Sequence, residues 1–240
     1  MFTLLTISLF ILESSKSGPG GGCFWEGSKV RTLERGTVPI SDVRTGEHVE
    51  SVTYSNQVTY SQVLLLLDSS VSTGRTFVNL TTTSHQNLVV TPSHLIFTMN
   101  DDNSMEAVFA SNLKTGQKIV TTSNSSKTVT DTVKSVELVF KRGFYAPLTR
   151  NGKIVVNDIV ASCYAVIQSQ DIAHWSFLPV RLGWNAKEWW LSLSKWLQWG
   201  QLFNYKLSTP NLPPSEGVHW YARLLYWLAQ YVIPESYLYH

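Results

Sequence analysis

The chain has 240 residues, of which 43% are hydrophobic, and a formal net charge of +2 at pH 7. This length supports one or two folded domains, and the apolar content excludes an intrinsically disordered chain. The near-neutral charge, with no basic run, argues against nucleic acid as a partner. We expect a globular monomer.

The first 22 residues are a predicted leader. Residues 2–12 form an apolar run of signal-peptide length, although no basic segment precedes it and no clear cleavage site follows it. A buried strand or a truncated gene product is the alternative. A signal peptide would place the chain in the secretory pathway, in the endoplasmic reticulum lumen, as a secreted or membrane-associated protein. The Gly-rich residues 16–22 predict a flexible linker, so that the folded part begins at Cys23.

Residues 23–165 show the pattern of a β domain. Short runs rich in Val, Thr, Leu and Ile are separated by clusters of Gly, Asn, Asp and Ser, and helical periodicity is rare. We therefore predict a mainly β fold for this range. The predicted strands include 58–67, 88–90, 95–97, 128–140 and 154–160.

An internal repeat lies within this β region. Residues 41–49 align without gaps with residues 111–119, an offset of 70, and Val63 matches Val133 at the same offset. A β unit that is used twice can cover its apolar face by packing on its copy, which predicts a pseudo-two-fold domain with a cleft between the halves. The Thr-Gly pair in each copy predicts a tight turn that leads into a strand.

Residues 166–240, which we call the tail, are predicted to be helical and hold eight of the nine tryptophans. Aromatic and leucine residues recur at helical spacing in two stretches separated by Pro213-Pro214, and Ser215 is a plausible N-cap for the second helix. The aromatic faces either pack on the β domain or form a surface for a sterol or a bilayer.

A nucleophile and its assisting groups are indicated around Cys23. Gly22 precedes this cysteine, and a Thr-x-x-His motif, Thr91 to His94, follows a predicted strand. The Cys23 thiolate can attack the carbonyl of Gly22 and convert the amide into a thioester. A histidine can protonate the leaving amine, and a threonine on the same loop can hydrogen-bond the scissile peptide.

Two further residues are candidates for the same site. Asp68 ends an apolar run, and a partly desolvated carboxylate there could serve as a base for an alcohol nucleophile, although an ordinary strand-end residue is the simpler interpretation. Cys163 is the second of only two cysteines, too few for a disulfide framework or a metal cluster. We predict neither a metal site nor a cofactor.

Several blocks of the sequence resemble the C-terminal autoprocessing region of Hedgehog proteins, a Hint-type domain followed by a sterol-recognition region. The blocks ASCYAVI and HWYA are specific to that family, whereas the Cys-Phe and Thr-x-x-His signals also suit inteins. In that family a large signalling domain precedes the cysteine, whereas 22 residues precede it here. The matching blocks are 22–24, 60–68, 90–95, 146–149, 161–167, 173–175, 179–182 and 218–222.

The resemblance implies a role for each matching residue. Cys23 would be the nucleophile, and Asp68 would activate a sterol hydroxyl. Thr91 and His94 would assist the acyl shift, and Cys163 could pair with the nucleophile under oxidising conditions. Cholesterol would be the co-substrate and would receive the segment that ends at Gly22. The predicted sterol-binding residues of the tail are Trp189, Trp196, Trp220 and Trp227.

Three other functions were weighed. Protein splicing is disfavoured, because splicing needs an Asn after His at the C-terminal junction and no His-Asn pair occurs. Self-hydrolysis, in which water resolves the thioester, differs from sterol transfer only in the acceptor. A non-catalytic sterol-binding or membrane-binding module would retain the tail but would not need Cys23.

Overall fold

The computed structural model describes residues 23–100, 102, 104–122, 127–165, 174–196 and 217–232. Within them, twelve strands form one connected antiparallel sheet, and two α-helices follow. The predicted mainly β class with helices near the C-terminus is confirmed. The strands are β1 (Phe24–Trp25), β2 (Lys29–Thr32), β3 (Gly36–Pro39), β4 (His48–Val52), β5 (Val58–Thr82), β6 (Asn87–Val90), β7 (His94–Met99), β8 (Met105–Phe109), β9 (Lys118–Thr122), β10 (Thr128–Thr149), β11 (Lys153–Val156) and β12 (Ile159–Ala165), and the helices are α1 (Leu178–Trp196) and α2 (Trp220–Val232).

The internal repeat has the same structure in both copies. Val49 on β4 pairs with Ser61 on β5, and the residues 70 positions later, Ile119 and Asp131, pair in the same way on β9 and β10. The turn before each pair contains a glycine with positive φ, 96° at Gly46 and 91° at Gly116. A positive φ is readily adopted only by glycine, which explains why the Thr-Gly pair occurs in both copies.

The two halves are joined by their longest strands. The second parts of β5 and β10 pair with each other, from Val63 with Thr149 to Val133 with Thr82. Between the halves, β1 pairs with β6 through Phe24 and Val90. This pairing brings the N-terminal end of β1 next to the end of β6, and β5 pairs with β6 on its other side.

A large core fills the space between the halves, and a smaller cluster lies apart from it. Phe24, Phe77, Phe144, Leu80 and Leu88 are fully buried in the large core. Each such side chain contributes about 1.5–3 kcal/mol by leaving water. The site described below is therefore held by rigid strands on a well-packed core.

Three predicted strands were wrong in their bounds, and the one predicted at 128–140 continues to Thr149. The strand predicted at 58–67 continues to Thr82, so Asp68 lies within β5 and not at its end. A carboxylate is tolerated there because Arg75 pairs with it. The strand predicted at 154–160 is a hairpin, because Asn157 and Asp158 both have positive φ and form a tight turn between β11 and β12.

The tail packs on the β domain through a few aromatic residues. Phe177 is buried between the rings of Tyr164 and Tyr221, with centroid distances of 5.4 and 5.7 Å. Helix α2 begins at Trp220, and the amide of Arg223 donates to the carbonyl of His219. Ser215 lies outside the described residues and is too far from this start to be the N-cap.

A helix that spans a bilayer needs about 20 consecutive, predominantly apolar residues. Neither α1 nor α2 is long and apolar enough to cross a bilayer.

Candidate active site

Two hydrogen bonds, each donated by a backbone amide, join Cys23 and Thr91. The amide of Cys23 donates to Thr91 Oγ1 at 3.0 Å, and the amide of Thr91 donates to the Cys23 carbonyl at 3.0 Å. Cys23 is fully buried. Its amide nitrogen belongs to the predicted scissile bond, so Thr91 contacts that bond as expected. Gly22, which carries the other half of the bond, lies outside the described residues.

His94 lies at the start of β7, one tight turn after Thr91. Its amide donates to the Thr91 carbonyl at 3.0 Å, and its ring packs edge-on against Phe24 with a centroid distance of 4.3 Å. His94 Nε2 lies 2.8 Å from the carbonyl oxygen of Ser162. Because a carbonyl only accepts hydrogen bonds, Nε2 carries the proton of this bond, and Nδ1 is the nitrogen whose protonation can change.

Asp68 reaches the same site from β5. Its Oδ2 accepts a hydrogen bond from the Cys23 thiol, with a sulfur–oxygen distance of 3.7 Å. The side chain is 1% exposed, and its Oδ1 has no hydrogen-bond partner among the described residues. A buried carboxylate oxygen without a hydrogen bond lowers the stability of the fold, and proteins retain such atoms mainly at functional sites. One oxygen thus contacts the nucleophile while the other can accept a second proton donor.

Arg75 completes the site and was missed by the sequence analysis. Its Nη1 donates to Cys23 Sγ at 3.4 Å, and its Nη2 donates to Asp68 Oδ2 at 3.1 Å. Its guanidinium lies 3.6 Å above the ring centroid of Phe144. Strict alternation along a strand places residues 68 and 75 on opposite faces. Register shifts between β5 and β10, one of them between Arg142 and Phe144, break this alternation.

The environment keeps the Cys23 sulfur protonated at rest. Burial is the main cause that raises the pKa of the Cys23 thiol far above its ordinary value, and the Asp68 carboxylate raises it further. Arg75 lowers the same pKa. The thiol therefore has to transfer its proton to a neighbouring group when it reacts, and of its two contacting neighbours, Asp68 and Arg75, only the Asp68 carboxylate can accept it.

The tail contacts the strand that carries Asp68. The amide of Gly217 donates to the Ser69 carbonyl at 2.8 Å, and the amide of His219 donates to the Leu67 carbonyl at 2.7 Å. These carbonyls flank Asp68, so the segment 217–219 lies against the part of β5 that carries it. Helix α2 begins directly after this segment, which explains why the helix starts later than the sequence indicated.

Residues 12–234 match the Hint module family. The chain belongs to this family. The Hint domain is 37% identical over 227 residues to protein hedgehog of Drosophila yakuba, and 33% identical over 228 residues to the Tiggy-winkle hedgehog protein of Danio rerio. The matches cover 93% and 92% of this chain but 47% and 51% of those proteins, so the chain spans about half the length of these relatives. The predicted Hedgehog-type Hint domain is confirmed.

Solved intein structures share the fold. The match to a variant of the Ssp DnaB mini-intein covers 62% of this chain and 96% of the intein chain, with a TM-score of 0.52 and 15% identity. A DnaB intein from Synechocystis sp. covers 61% of this chain and 99% of its own, with a TM-score of 0.50 and 15% identity. At this identity the similarity supports the fold alone.

Cys163 of the Hint domain is a buried thiol on β12. Its sulfur lies 3.2 Å from Thr149 Oγ1, and burial raises its pKa to about 11. No disulfide joins the two cysteines, and both are buried. The neighbouring Ser162 accepts the hydrogen bond from His94, so Cys163 adjoins the site through the backbone. Its oxidative pairing with Cys23 stays a prediction.

The predicted sterol-binding tryptophans lie on the outer sides of the tail helices. Trp189 on α1 and Trp220 and Trp227 on α2 are 65%, 68% and 54% exposed. The side chain of Trp196 lies outside the described residues. The three exposed rings do not contribute to the core, so they remain candidates for contact with an apolar partner.

We predict that Thr91→Val slows cleavage before Cys23, because the valine cannot accept the Cys23 amide proton. A hydrogen bond of this kind is worth about 1 kcal/mol or more, so we expect a loss of roughly tenfold in rate. Thr91→Ser retains the hydroxyl and is the control. Cleavage of a precursor carrying a reporter before Gly22 measures both rates. Equal rates for Thr91→Val and the unaltered chain would contradict this role of Thr91.

Proposed function

We propose that this Hint domain cleaves the Gly22–Cys23 bond autocatalytically through a thioester and transfers the upstream segment to a sterol, with cholesterol as the expected acceptor. The observation that carries the proposal is the position of Asp68, which contacts the Cys23 thiol and has one oxygen with no hydrogen-bond partner among the described residues. The similarity to hedgehog proteins supports it. The sterol is a co-substrate, and the reaction needs no cofactor.

The first step is an N-to-S acyl shift. The Cys23 thiol passes its proton to Asp68, and the sulfur forms a bond to the carbonyl carbon of Gly22 while the carbon–nitrogen bond breaks. The amine of Cys23 gains a proton from the Nδ1 of a charged His94, whose Nε2–H stays bonded to the Ser162 carbonyl. Thr91 holds the nitrogen of this bond in place. Exchange with solvent then returns Asp68 and His94 to their starting protonation.

The second step resolves the thioester. Asp68 accepts the proton of the sterol hydroxyl, whose oxygen attacks the thioester carbonyl. The carbon–sulfur bond breaks, and the Cys23 thiolate leaves and regains a proton. The products are a sterol ester of the upstream segment and a Hint domain that begins with the free amine of Cys23. The Gly22–Cys23 peptide bond is broken and does not form again, so each chain reacts once.

The tail is proposed to present the acceptor. The segment 217–219 contacts both carbonyls that flank Asp68, and Trp220 follows it at once. A sterol buries several hundred Å² of apolar surface, worth on the order of several kcal/mol before binding costs. Trp220, which follows the segment that contacts β5 at Asp68, offers such a surface together with the other exposed tryptophans of the tail. Association of the tail with a bilayer that contains the sterol is part of this proposal, and the apolar run 2–12 favours the secretory pathway as its location.

The proposed acyl shift is tested with a reporter domain fused before Gly22. The purified precursor is incubated with dithiothreitol, which resolves a thioester without a sterol. We expect a shortened reporter and a fragment whose N-terminal sequence begins with Cys23. A precursor that stays intact would refute the thioester and favour the non-catalytic binding module.

Replacing Trp189, Trp220 and Trp227 together by alanine should reduce cholesterol-dependent cleavage by about tenfold or more, because buried aromatic contacts are worth roughly 0.5–1.5 kcal/mol each. Cleavage by dithiothreitol should remain, since these exposed side chains do not support the core. Phe140→Ala, which removes an exposed ring from β10, is the matched control. If the triple variant keeps its cholesterol-dependent rate, the sterol contacts lie elsewhere.

A further inference from the structure

Arg75 contacts both reacting groups of the site. Its two terminal nitrogens reach different acceptors, the sulfur of Cys23 at 3.4 Å and Oδ2 of Asp68 at 3.1 Å. The ring of Phe144 supports the flat guanidinium from below at 3.6 Å. Its side chain is 23% exposed, so solvent reaches Arg75 while the carboxylate beside it is almost completely buried.

We propose that Arg75 is a catalytic residue that stabilises the Cys23 thiolate, both when the sulfur attacks Gly22 and when it leaves the thioester. This role rests on the proposed function, because it concerns the same reacting sulfur. It differs from a purely structural ion pair with Asp68, which would not require a second donor directed at the sulfur.

The charges of the cluster formed by Cys23, Asp68 and Arg75 explain why a cation is needed. Before reaction the guanidinium faces the Asp68 carboxylate, and the thiol is neutral. When the thiol proton moves to Asp68, the negative charge moves to the sulfur, and the same guanidinium already donates to it. The net charge of the cluster stays constant, so no uncompensated charge is created in a buried site.

An arginine suits this task better than a lysine. Its planar fork presents two donors at fixed spacing, so it can hold the sulfur and the carboxylate at the same time. The stacking on Phe144 fixes the plane of the fork. The direction of its effect agrees with this role, since burial and Asp68 raise the pKa of the Cys23 thiol and Arg75 lowers it.

The role of Arg75 predicts the same loss with either acceptor. Because the sulfur develops charge in both steps, Arg75→Gln should slow cleavage by dithiothreitol and by cholesterol alike, each by about 10²-fold, as for the loss of one preorganised donor. Arg75→Lys should recover part of the rate. Arg142→Gln, which alters an exposed arginine on the adjacent strand β10, is the matched control and should cleave at the unaltered rate.

Two measurements separate this role from a structural one. First, guanidinium at millimolar concentration should restore part of the rate of Arg75→Ala, because the removed group can be replaced from solvent. The second measurement uses a Cys163→Ser chain, in which Cys23 is the only thiol. Adding Arg75→Gln to this chain should make Cys23 react about tenfold more slowly with methyl methanethiosulfonate, because thiol reactivity follows the thiolate fraction.

The second measurement does not depend on cleavage. If the unaltered chain fails to cleave but Arg75→Gln still slows the thiol reaction, the proposed function is wrong and the thiolate role of Arg75 stands. The inference is overturned if Arg75→Gln cleaves at the unaltered rate. It is also overturned if cleavage slows but guanidinium does not rescue Arg75→Ala and Arg75→Gln does not slow the thiol reaction of Cys23.

Discussion

Cys23→Ala is expected to leave the reporter precursor completely intact, with dithiothreitol and with cholesterol. The reason is that the sulfur of Cys23 forms the thioester, and alanine offers no nucleophile. Cleavage is followed on gels over a period in which the unaltered chain reacts to completion. The substitution removes one buried sulfur atom, so we expect the fold to persist.

The second cysteine provides the control for this result. Cys163 is equally buried, but its sulfur contacts Thr149. Cys163→Ala should therefore cleave with dithiothreitol, although it also loses a buried sulfur. Cleavage before position 23 in the Cys23→Ala chain would show that another group breaks the bond and would refute the thioester.

Asp68→Ala should separate the two steps of the reaction. Transfer to cholesterol should be lost, because a neutral hydroxyl needs a base and the loss of a positioned base costs about 10²–10⁴-fold. Cleavage by dithiothreitol at mildly alkaline pH should persist within about tenfold. Removal of the Asp68 carboxylate takes away one cause of the raised pKa of the Cys23 thiol, so hydroxide can accept its proton in the first step, and an external thiolate needs no base in the second. Arg75 remains beside the sulfur in this variant and favours the thiolate.

The two rates are measured on the same preparation of the Asp68→Ala precursor. Asp68→Asn is the matched variant, because it keeps the shape of the side chain and removes only the negative charge. In both variants transfer to cholesterol should be lost while cleavage by dithiothreitol persists. If both acceptors lose rate equally in both variants, Asp68 acts before the acceptor enters or only supports the fold, and its assignment as the base for the sterol hydroxyl is wrong.

The sequence was most informative where the pattern is local or repeated. The matching segments 41–49 and 111–119 predicted a duplicated β unit, and the structure pairs the strands of the two copies in the same register. The Thr-x-x-His motif also predicted a local arrangement, one loop that carries both Thr91 and His94, and the His94 amide donates to the Thr91 carbonyl there. Such features depend on residues close in sequence or on a copy of the same unit.

The features that were missed depend on irregular or distant contacts. The bulged pairing of β5 with β10 lets Arg75 reach Cys23, and strand alternation cannot indicate this. Asp68 appeared to end a strand, because its partner Arg75 was not recognised. The start of α2 was placed too early, since the contact of segment 217–219 with β5 joins parts of the chain that are far apart in sequence.

The intact mass of the reporter released in the presence of cholesterol tests the central claim most directly. Transfer forms an ester and loses the Cys23 amine, so the released reporter should have the mass of its free acid plus one cholesterol minus one water. We predict this species as the main product, and its absence when cholesterol is omitted. A released reporter that carries only a free carboxylate, formed at the same rate with and without cholesterol, would contradict sterol transfer and show that water is the acceptor.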